Sequence, residues 1–147
     1  MRSVVVDASV AAKWFLPATE EPLTSEAADL LRRFTIGQLR FIVPDLFWAE
    51  LGNVFWKAIR QSRCTKPAAE SALGSLRDRS IKTVPSLMVL GLALDIATTF
   101  DRSMYDALYV ALATVSKAPL VTADERLFDA LASRYPVRWL GAVHLDG

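Results

Sequence analysis

Short runs of β-branched apolar residues recur along the chain, and each is followed by a segment whose apolar residues fall at helical spacing. The first run, residues 4–6, is three valines, a composition typical of a strand buried on both faces of a parallel sheet. Similar runs predict further strands. The predicted strands are residues 4–6, 41–43, 81–84, 120–122 and 137–140.

Between these strands, apolar residues at helical spacing predict helices, and Pro, Gly, Ser and Thr mark their ends. The predicted helices are residues 10–16, a segment around 27–34 ended by Gly37, Leu46–Arg60, a helix capped by Thr65, residues 86–99, residues 104–113 and residues 125–134. The alternation of strands and helices, without an internal repeat or linker, predicts an α/β fold with a parallel sheet of four or five strands. We expect residues 1–147 to form a single domain.

The helix Leu46–Arg60 is predicted to start at an N-cap residue, Asp45, and to have a narrow polar face. At about 100° per residue, its polar side chains fall within an arc of about 80°. They are Glu50, Asn53, Lys57 and Arg60. The aromatic and aliphatic residues cover the much wider remaining arc. This surface either contacts another chain or is enclosed within the protomer.

Acidic residues follow the predicted strands. Asp7 comes directly after the first strand and Asp124 follows the fourth, while Glu50 lies in the second turn of the helix after the second strand. Because the carboxyl ends of parallel strands share one edge of a sheet, these side chains are candidates for a common site. For Asp7 the alternative role is capping of the following helix. Thr122 and Glu125 have capping-box spacing, so Glu125 has a predicted role at the helix start and Asp124 is an acid without one.

Asp106 interrupts a helix that is otherwise apolar around its circumference from residue 104 to residue 113. Burial of an unpaired carboxylate costs several kcal/mol, so we expect a cationic group beside it. The alternative is structural, because Ser103 and Asp106 also have capping-box spacing.

Composition excludes several classes of protein. The chain is 52% hydrophobic and 22% charged, which is typical of a compact fold, and 17 basic against 16 acidic residues give a net charge of +1, unlike a protein that coats nucleic acid. No segment has the apolar length of a signal peptide or a membrane span, so we expect a cytoplasmic protein without a membrane partner. Cys64 is the single cysteine and His144 the single histidine, which argues against a disulfide, a zinc site or a Cys-His catalytic pair.

Four acids at one sheet edge would repel one another unless a cation neutralised them, and an all-oxygen site favours Mg²⁺ or Mn²⁺. A carboxylate-bound divalent ion most often acts on phosphate esters. A dehalogenase-type phosphatase would need an acid where Ser9 stands. A receiver domain would need an adjacent acidic pair near the first strand, which is absent.

Four motifs occur in order over nearly the whole chain. They are Val-Val-Asp-Ala-Ser at 5–9, Pro-Asp-Leu-x-x-x-Glu-x-x-Asn at 44–53, Tyr-Asp-Ala-Leu-Tyr-Val-Ala-Leu-Ala at 105–113 and Leu-Val-Thr-Ala-Asp-Glu-Arg-Leu at 120–127. With these motifs the chain resembles PIN-domain proteins, specifically VapC-type ribonuclease toxins of toxin–antitoxin pairs. The resemblance implies a three-layer α/β/α fold with a central parallel sheet.

The resemblance also implies an acidic quartet that binds one or two Mg²⁺ or Mn²⁺ ions and cleaves RNA with metal-activated water, leaving a 5′-phosphate and a 3′-hydroxyl. The quartet would be Asp7, Glu50, Asp106 and Asp124, with Ser9, Asn53 and Thr122 in support. Lys13, Lys57 and Arg102 are candidate contacts to RNA or to a small antitoxin, or else solvated surface charges.

Relatives of this type are typically homodimers silenced by the antitoxin. The aromatic residues Trp14, Phe15, Trp48, Phe55 and Trp56 suit such contacts. Two alternatives stay open: an interaction module that retains the acids for structure, and a nuclease without an antitoxin.

Overall fold

The computed structural model describes residues 2–143, so His144 lies outside the described residues. Within that part of the chain, parallel strands form one sheet. They are β1 (Arg2–Val6), β2 (Leu39–Pro44), β3 (Lys82–Val84), β4 (Leu120–Thr122) and β5 (Val137–Trp139). Their order is β3-β2-β1-β4-β5, with every neighbouring pair parallel. The predicted α/β fold with a parallel sheet is confirmed.

Helices connect the strands and cover both faces of the sheet, as the α/β/α prediction requires. They are α1 (Ala8–Ala12), α2 (Thr24–Thr35), α3 (Leu46–Arg60), α4 (Lys66–Arg77), α5 (Leu90–Phe100), α6 (Met104–Ser116) and α7 (Glu125–Leu131). Across residues 2–143 no helix has the length and apolar character needed to pass through a bilayer.

Strand β1 is the centre of the sheet. Its three valines are fully buried, between β2 on one side and β4 on the other. Helix α6 packs against β1 and β2, and a continuous run of its residues from Ala107 to Ala113 is buried. The apolar run that predicted a central strand therefore forms one, and the strand directs Asp7 to the carboxyl edge of the sheet.

Two predictions about helices differ from the structure. Helix α1 spans Ala8–Ala12 and not residues 10–16, because the Asp7 carboxylate accepts the N–H groups of Ser9 and Val10 and caps the helix there, as the capping alternative for Asp7 predicts. Helix α3 begins at Leu46 with Asp45 as its N-cap residue, as predicted, but the Asp45 side chain makes no cap hydrogen bond. Its carboxylate instead accepts the N–H and hydroxyl of Ser86.

The segment predicted as one helix over residues 86–99 starts with a 3-10 turn, Ser86–Val89, and becomes α5 only at Leu90. The Asp45 carboxylate binds the first residue of this turn and ties it to the start of α3. Two other helices end a few residues away from their predicted ends: α6 continues to Ser116 and α7 stops at Leu131. The predicted cap at Thr65 is confirmed by its hydrogen bond from the Ala68 N–H.

The aromatic residues around α1 and α3 pack mainly within the protomer. Phe55 is buried against Phe15, with ring centroids 6.1 Å apart. Trp14 stacks on Phe41 at 5.5 Å, and its indole N–H donates to the Ala27 carbonyl at 2.8 Å. The aromatic surface suggested for partner contacts is therefore largely used inside the protomer, because β2 and α2 lie against it.

Trp48 and Trp56, both on α3, differ in their contacts and exposure. The Trp48 indole N–H donates to the Thr83 hydroxyl at 3.0 Å, whereas Trp56 is exposed and lies under the Arg60 guanidinium. Only Trp56, of the five aromatic residues proposed for partner contacts, is an exposed residue.

A group of exposed apolar residues lies on the 3-10 turn and on α5. Its members Leu87, Met88, Leu90 and Leu94 are 79%, 75%, 44% and 54% exposed. Leu87, Leu90 and Leu94 are spaced three and four residues apart and so share one helix face. We call these four residues the α5 face.

Candidate active site

The strand order places a crevice at the carboxyl end of β1. From β1 the sheet extends through β2 to β3 on one side and through β4 to β5 on the other, and ligands of open α/β sheets bind where the order changes direction in this way. Val6 pairs with Val121, so Asp7 and the residues after β4 emerge side by side.

A cavity of about 110 Å³ opens at this edge. Its lining residues are Asp7, Ala8, Ser9, Glu50, Asp106, Tyr109 and Asp124. All four predicted acids thus line one cavity, although they come from four separate segments of the chain.

Asp7 is 8% exposed, and its Oδ1 accepts the N–H groups of Ser9 and Val10 at 3.0 and 3.3 Å as well as the Ser9 hydroxyl. Burial raises the pKa of Asp7 to about 6, although these hydrogen bonds and the Thr122 hydroxyl oppose the shift and the Glu50 charge adds to it. The cap bonds all use Oδ1 and leave Oδ2 outside the cap. Capping and ligand binding are therefore compatible at Asp7.

The hydroxyls of Ser9 and Thr122 join the two loops that carry acids. The Ser9 hydroxyl donates to Asp7 and accepts the Ala123 N–H at 3.2 Å, which ties the end of β1 to the end of β4. Thr122 is fully buried and accepts the Asp124 N–H at 3.0 Å. Both hydroxyls hold backbone next to an acid.

Asp124 is exposed and is itself the N-cap of α7. Its Oδ1 accepts the N–H groups of Arg126 and Leu127 at 3.0 and 3.2 Å. The predicted capping box of Thr122 and Glu125 is wrong, because Thr122 bonds to the loop and Asp124 takes the cap. As at Asp7, the cap uses one carboxylate oxygen only.

Glu50 reaches the cavity from the second turn of α3. Its Oε1 is buried without a hydrogen-bond partner among the described residues. Burial is the main cause that raises the pKa of Glu50, the neighbouring Tyr109 hydroxyl opposes this rise and the Asp106 charge adds to it. Asn53 is exposed one turn further along the helix, and its suggested role in orienting Glu50 stays a prediction.

Asp106 lies in the first turn of α6. Its backbone N–H donates to the Ser103 hydroxyl at 3.1 Å, and Arg102 Nη2 lies 3.4 Å from its Oδ2. The expected cation beside this carboxylate is therefore Arg102. Burial raises the pKa of Asp106, the Arg102 charge opposes that shift and the Asp124 charge reinforces it.

The three candidate contact residues differ in their surroundings. Lys13 is 9% exposed, and its Nζ lies 3.2 Å from Glu21, which also binds Arg63. Lys57 is exposed on the polar face of α3. Arg102 is half-buried beside Asp106, and its Nε is buried without a partner among the described residues.

The donor set fits a hard divalent cation. The four acids supply only carboxylate oxygens, Glu50 Oε1 has no partner, and burial and mutual repulsion raise the pKa of several of these acids. Within residues 2–143, however, no three acidic, histidine or cysteine side chains are grouped closely enough to hold an ion as they stand. Ion binding would therefore require these side chains to rotate towards a common centre.

Tyr109 is the cavity residue to which the sequence analysis gave no role. It is 3% exposed, and its hydroxyl has no hydrogen-bond partner among the described residues. The sequence does contain a signal, because Tyr109 lies three residues after Asp106 and so shares its face of α6.

The chain is similar in sequence to a known ribonuclease. Ribonuclease VapC1 of Mycobacterium tuberculosis is 37% identical over 87 residues, which are 57% of this chain and 62% of the relative. The chain thus spans less than two thirds of the length of the curated relatives it matches.

Two solved structures share the fold. PAE2754 from Pyrobaculum aerophilum has a TM-score of 0.69 at 24% identity, over 95% of this chain and 85% of that chain. A toxin–antitoxin complex from Klebsiella pneumoniae has a TM-score of 0.62 at 13% identity, over 95% and 99%. At these identities the likeness shows the fold alone.

The PIN domain family matches residues 4–133, which include β1 through α7 and all four acids of the cavity. The resemblance found in the sequence motifs is thereby confirmed. The chain belongs to the PIN domain family.

Proposed function

We propose that this protein is a Mg²⁺- or Mn²⁺-dependent endoribonuclease, composed of a single PIN domain, that acts in the cytoplasm as the toxin of a toxin–antitoxin pair. One observation carries the proposal: acids from four separate segments line one cavity at the point where the strand order changes direction. Ribonuclease VapC1 supports the reaction class, and the Klebsiella toxin–antitoxin complex supports the partner class.

In this proposal Asp7, Glu50, Asp106 and Asp124 hold the divalent ion. When bound, such an ion supplies Lewis-acid activation of a phosphodiester and of the water that attacks it. Ser9 fixes Asp7 through Oδ1 and links the β1 and β4 loops, so that these acids stay next to each other.

Basic residues would contact the RNA backbone or the antitoxin. Arg102 is the strongest candidate, because it is half-buried beside Asp106 and its Nε has no partner among the described residues. Lys57 is exposed on the same helix face as Glu50 and suits a phosphate further along the strand. Lys13 is already paired with Glu21, so a contact there would require this ion pair to open.

We propose that the homodimer forms through the α5 face. Exposed leucines and methionine at helical spacing favour contact with a second copy of the chain. Leu94→Glu should convert the dimer to a monomer in light scattering, whereas the exposed polar change Asp95→Asn should not. A dimer that survives Leu94→Glu would place the interface elsewhere.

The function is tested by cleavage of RNA with Mg²⁺ or Mn²⁺ by the wild-type protein and by Asp7→Asn and Asp106→Asn. We expect each variant to lose more than about 100-fold in kcat, since the loss of a group that merely orients a metal ligand already costs about 10–100-fold. Asp129→Asn, an exposed acid on α7 outside the cavity, is the matched control and should retain activity. Equal cleavage by all variants would identify a contaminating nuclease.

An interaction module without catalysis is the second candidate. It is favoured by the structural roles of the acids, because Asp7 and Asp124 cap helices and Asp106 pairs with Arg102. Absence of metal-dependent cleavage by the wild-type protein would support this alternative. A nuclease without an antitoxin would instead cleave RNA and lack a small DNA-binding protein encoded next to it.

A further inference from the structure

Tyr109 places a buried polar atom in the wall of the cavity. Its side chain is 3% exposed on α6, and the hydroxyl oxygen is buried without a hydrogen-bond partner among the described residues. Glu50 Oε1, on α3, is buried and unpartnered in the same way. Both residues line the cavity that holds the four acids.

A buried hydroxyl without a partner is costly. Leaving such a group unsatisfied costs about 1–3 kcal/mol, and a phenylalanine would fill the same space without that cost. The hydroxyl of Tyr109 lacks a hydrogen bond of normal geometry and would therefore gain from a partner that it acquires in another state.

The surroundings of Tyr109 identify the partner. The Glu50 carboxylate and the Ala8 backbone lie close enough to the hydroxyl to interact with it as hydrogen-bonding groups and to shift its pKa. Neither contact, however, has the distance and angles of a normal hydrogen bond. The phenol hydroxyl of tyrosine can donate one hydrogen bond. Glu50 Oε1 is the nearby acceptor that lacks a donor.

Other donors in the cavity are already engaged. The Ser9 hydroxyl donates to Asp7, and Arg102, whose Nε also lacks a partner among the described residues, does not line the cavity. Tyr109 is thus the cavity side chain whose donor remains available to Glu50. Because it extends from α6, it would connect Asp106, three residues earlier on that helix, to Glu50 on α3.

We infer that Tyr109 is a positioning residue whose hydroxyl donates to the Glu50 carboxylate when the cavity is occupied, fixing one oxygen and presenting the other to a divalent ion. This inference rests on the proposed metal-dependent function. Tyr109 acts through Glu50 and has no contact with RNA in this role.

The test compares Tyr109→Phe with the wild-type protein and with Tyr105→Phe. Tyr105 is 61% exposed and one turn earlier on α6, so its variant removes a solvated hydroxyl from the same helix. Three quantities are measured for the full chain: the urea midpoint of unfolding without metal, the rise in Tm with added MgCl₂ or MnCl₂, and kcat and KM for RNA.

We expect Tyr109→Phe to have a urea midpoint equal to or above that of the wild type. Its kcat should fall about 10–100-fold with an unchanged KM for RNA, and a higher metal concentration should be needed for the same rise in Tm. Tyr105→Phe should match the wild type in all three measurements. A purely structural hydroxyl would instead lower the urea midpoint and leave kcat unchanged, and that result would overturn the inference.

Failure of the inference is distinguishable from failure of the proposed function. If the wild type cleaves RNA and Tyr109→Phe cleaves it equally well, the inference is wrong and the nuclease proposal stands. If the wild type cleaves no RNA, the rise in Tm with metal decides: a smaller rise in Tyr109→Phe supports the positioning role, and an equal rise overturns it.

Discussion

The cavity at the carboxyl edge of the sheet and the α5 face depart from the usual distribution of residues in opposite directions. The cavity buries carboxylates such as Asp7, and the α5 face exposes apolar side chains such as Leu87 to solvent. Removing a charge from water is costly unless a cation compensates, whereas apolar area in water is costly until another apolar surface covers it. The first region therefore favours binding of a cation, and the second favours contact with a protein surface.

The largest expected effect is the difference in stability loss between substitutions on the buried and on the exposed side of α5. Ile96 is 1% exposed and Leu94 is 54% exposed on the same helix. Ile96→Ala should lower the free energy of unfolding by about 2–5 kcal/mol through lost burial and a cavity. Leu94→Ala should change it by less than about 0.5 kcal/mol in dilute, monomeric protein. Urea denaturation measures both, and equal losses would mean that the outer face is already covered.

The next effect concerns the buried charge of Asp7. Because the native state holds its proton more tightly than the unfolded chain does, the contribution of Asp7 to stability is fully present below about pH 3.8 and is lost as pH rises through about 6. Glu50 and Asp106, whose pKa values are also raised, act in the same direction. Without metal, the free energy of unfolding should fall on the order of 2–3 kcal/mol between about pH 4 and pH 7 because of Asp7.

Asp7→Asn isolates that contribution, since asparagine preserves the helix cap without the charge. In EDTA the variant should be more stable than the wild type at pH 7.5 and nearly equal to it at pH 4. Asp129→Asn should leave the pH dependence of the wild type unchanged. Lower stability of Asp7→Asn at both pH values would contradict the assigned cause.

Metal addition should partly reverse the loss of stability that the buried charges cause. We expect Mg²⁺ or Mn²⁺ to stabilise the protein by about 1.4 kcal/mol at ten times its dissociation constant, and therefore to raise Tm. The rise should be larger at pH 7.5 than at pH 5, because protons compete with the ion for the carboxylates. A scan of Tm against metal concentration at both pH values measures this. An identical rise in Asp7→Asn and in the wild type would place ion binding outside the cavity.

The smallest expected effect is at the cap of α6. The Ser103 hydroxyl accepts the Asp106 N–H, so Ser103→Ala should cost about 1 kcal/mol of unfolding free energy. Ser103→Asp should restore most of it, because aspartate is also a good N-cap. Urea denaturation of both variants in EDTA checks the prediction. If neither differs from the wild type, the cap contributes nothing to the placement of Asp106.

Much of the fold could be predicted because its signals are local. The valine run of β1 and the cap at Thr65 depend on neighbours within a few residues, and both predictions are confirmed. Asp7, Glu50 and Asp124 could be assigned to one edge because each follows a parallel strand, whereas Asp106 lies at the start of a helix that follows another helix. Asp45 shows the limit, since its carboxylate binds Ser86, 41 residues away, and nothing next to Asp45 in the sequence indicates that partner.

The sequence by itself determined the α/β alternation, the acids at the strand ends and the PIN resemblance, because periodicity, capping and motif order are properties of short segments. Only the tertiary structure decided that Trp14 and Phe55 pack inside the protomer while the α5 face stays exposed. It also decided that Tyr109 and Glu50 line one cavity, where the Tyr109 hydroxyl and Glu50 Oε1 have no hydrogen bond of normal geometry among the described residues. These outcomes depend on which elements become neighbours in space, and the pattern within any single element does not contain that information.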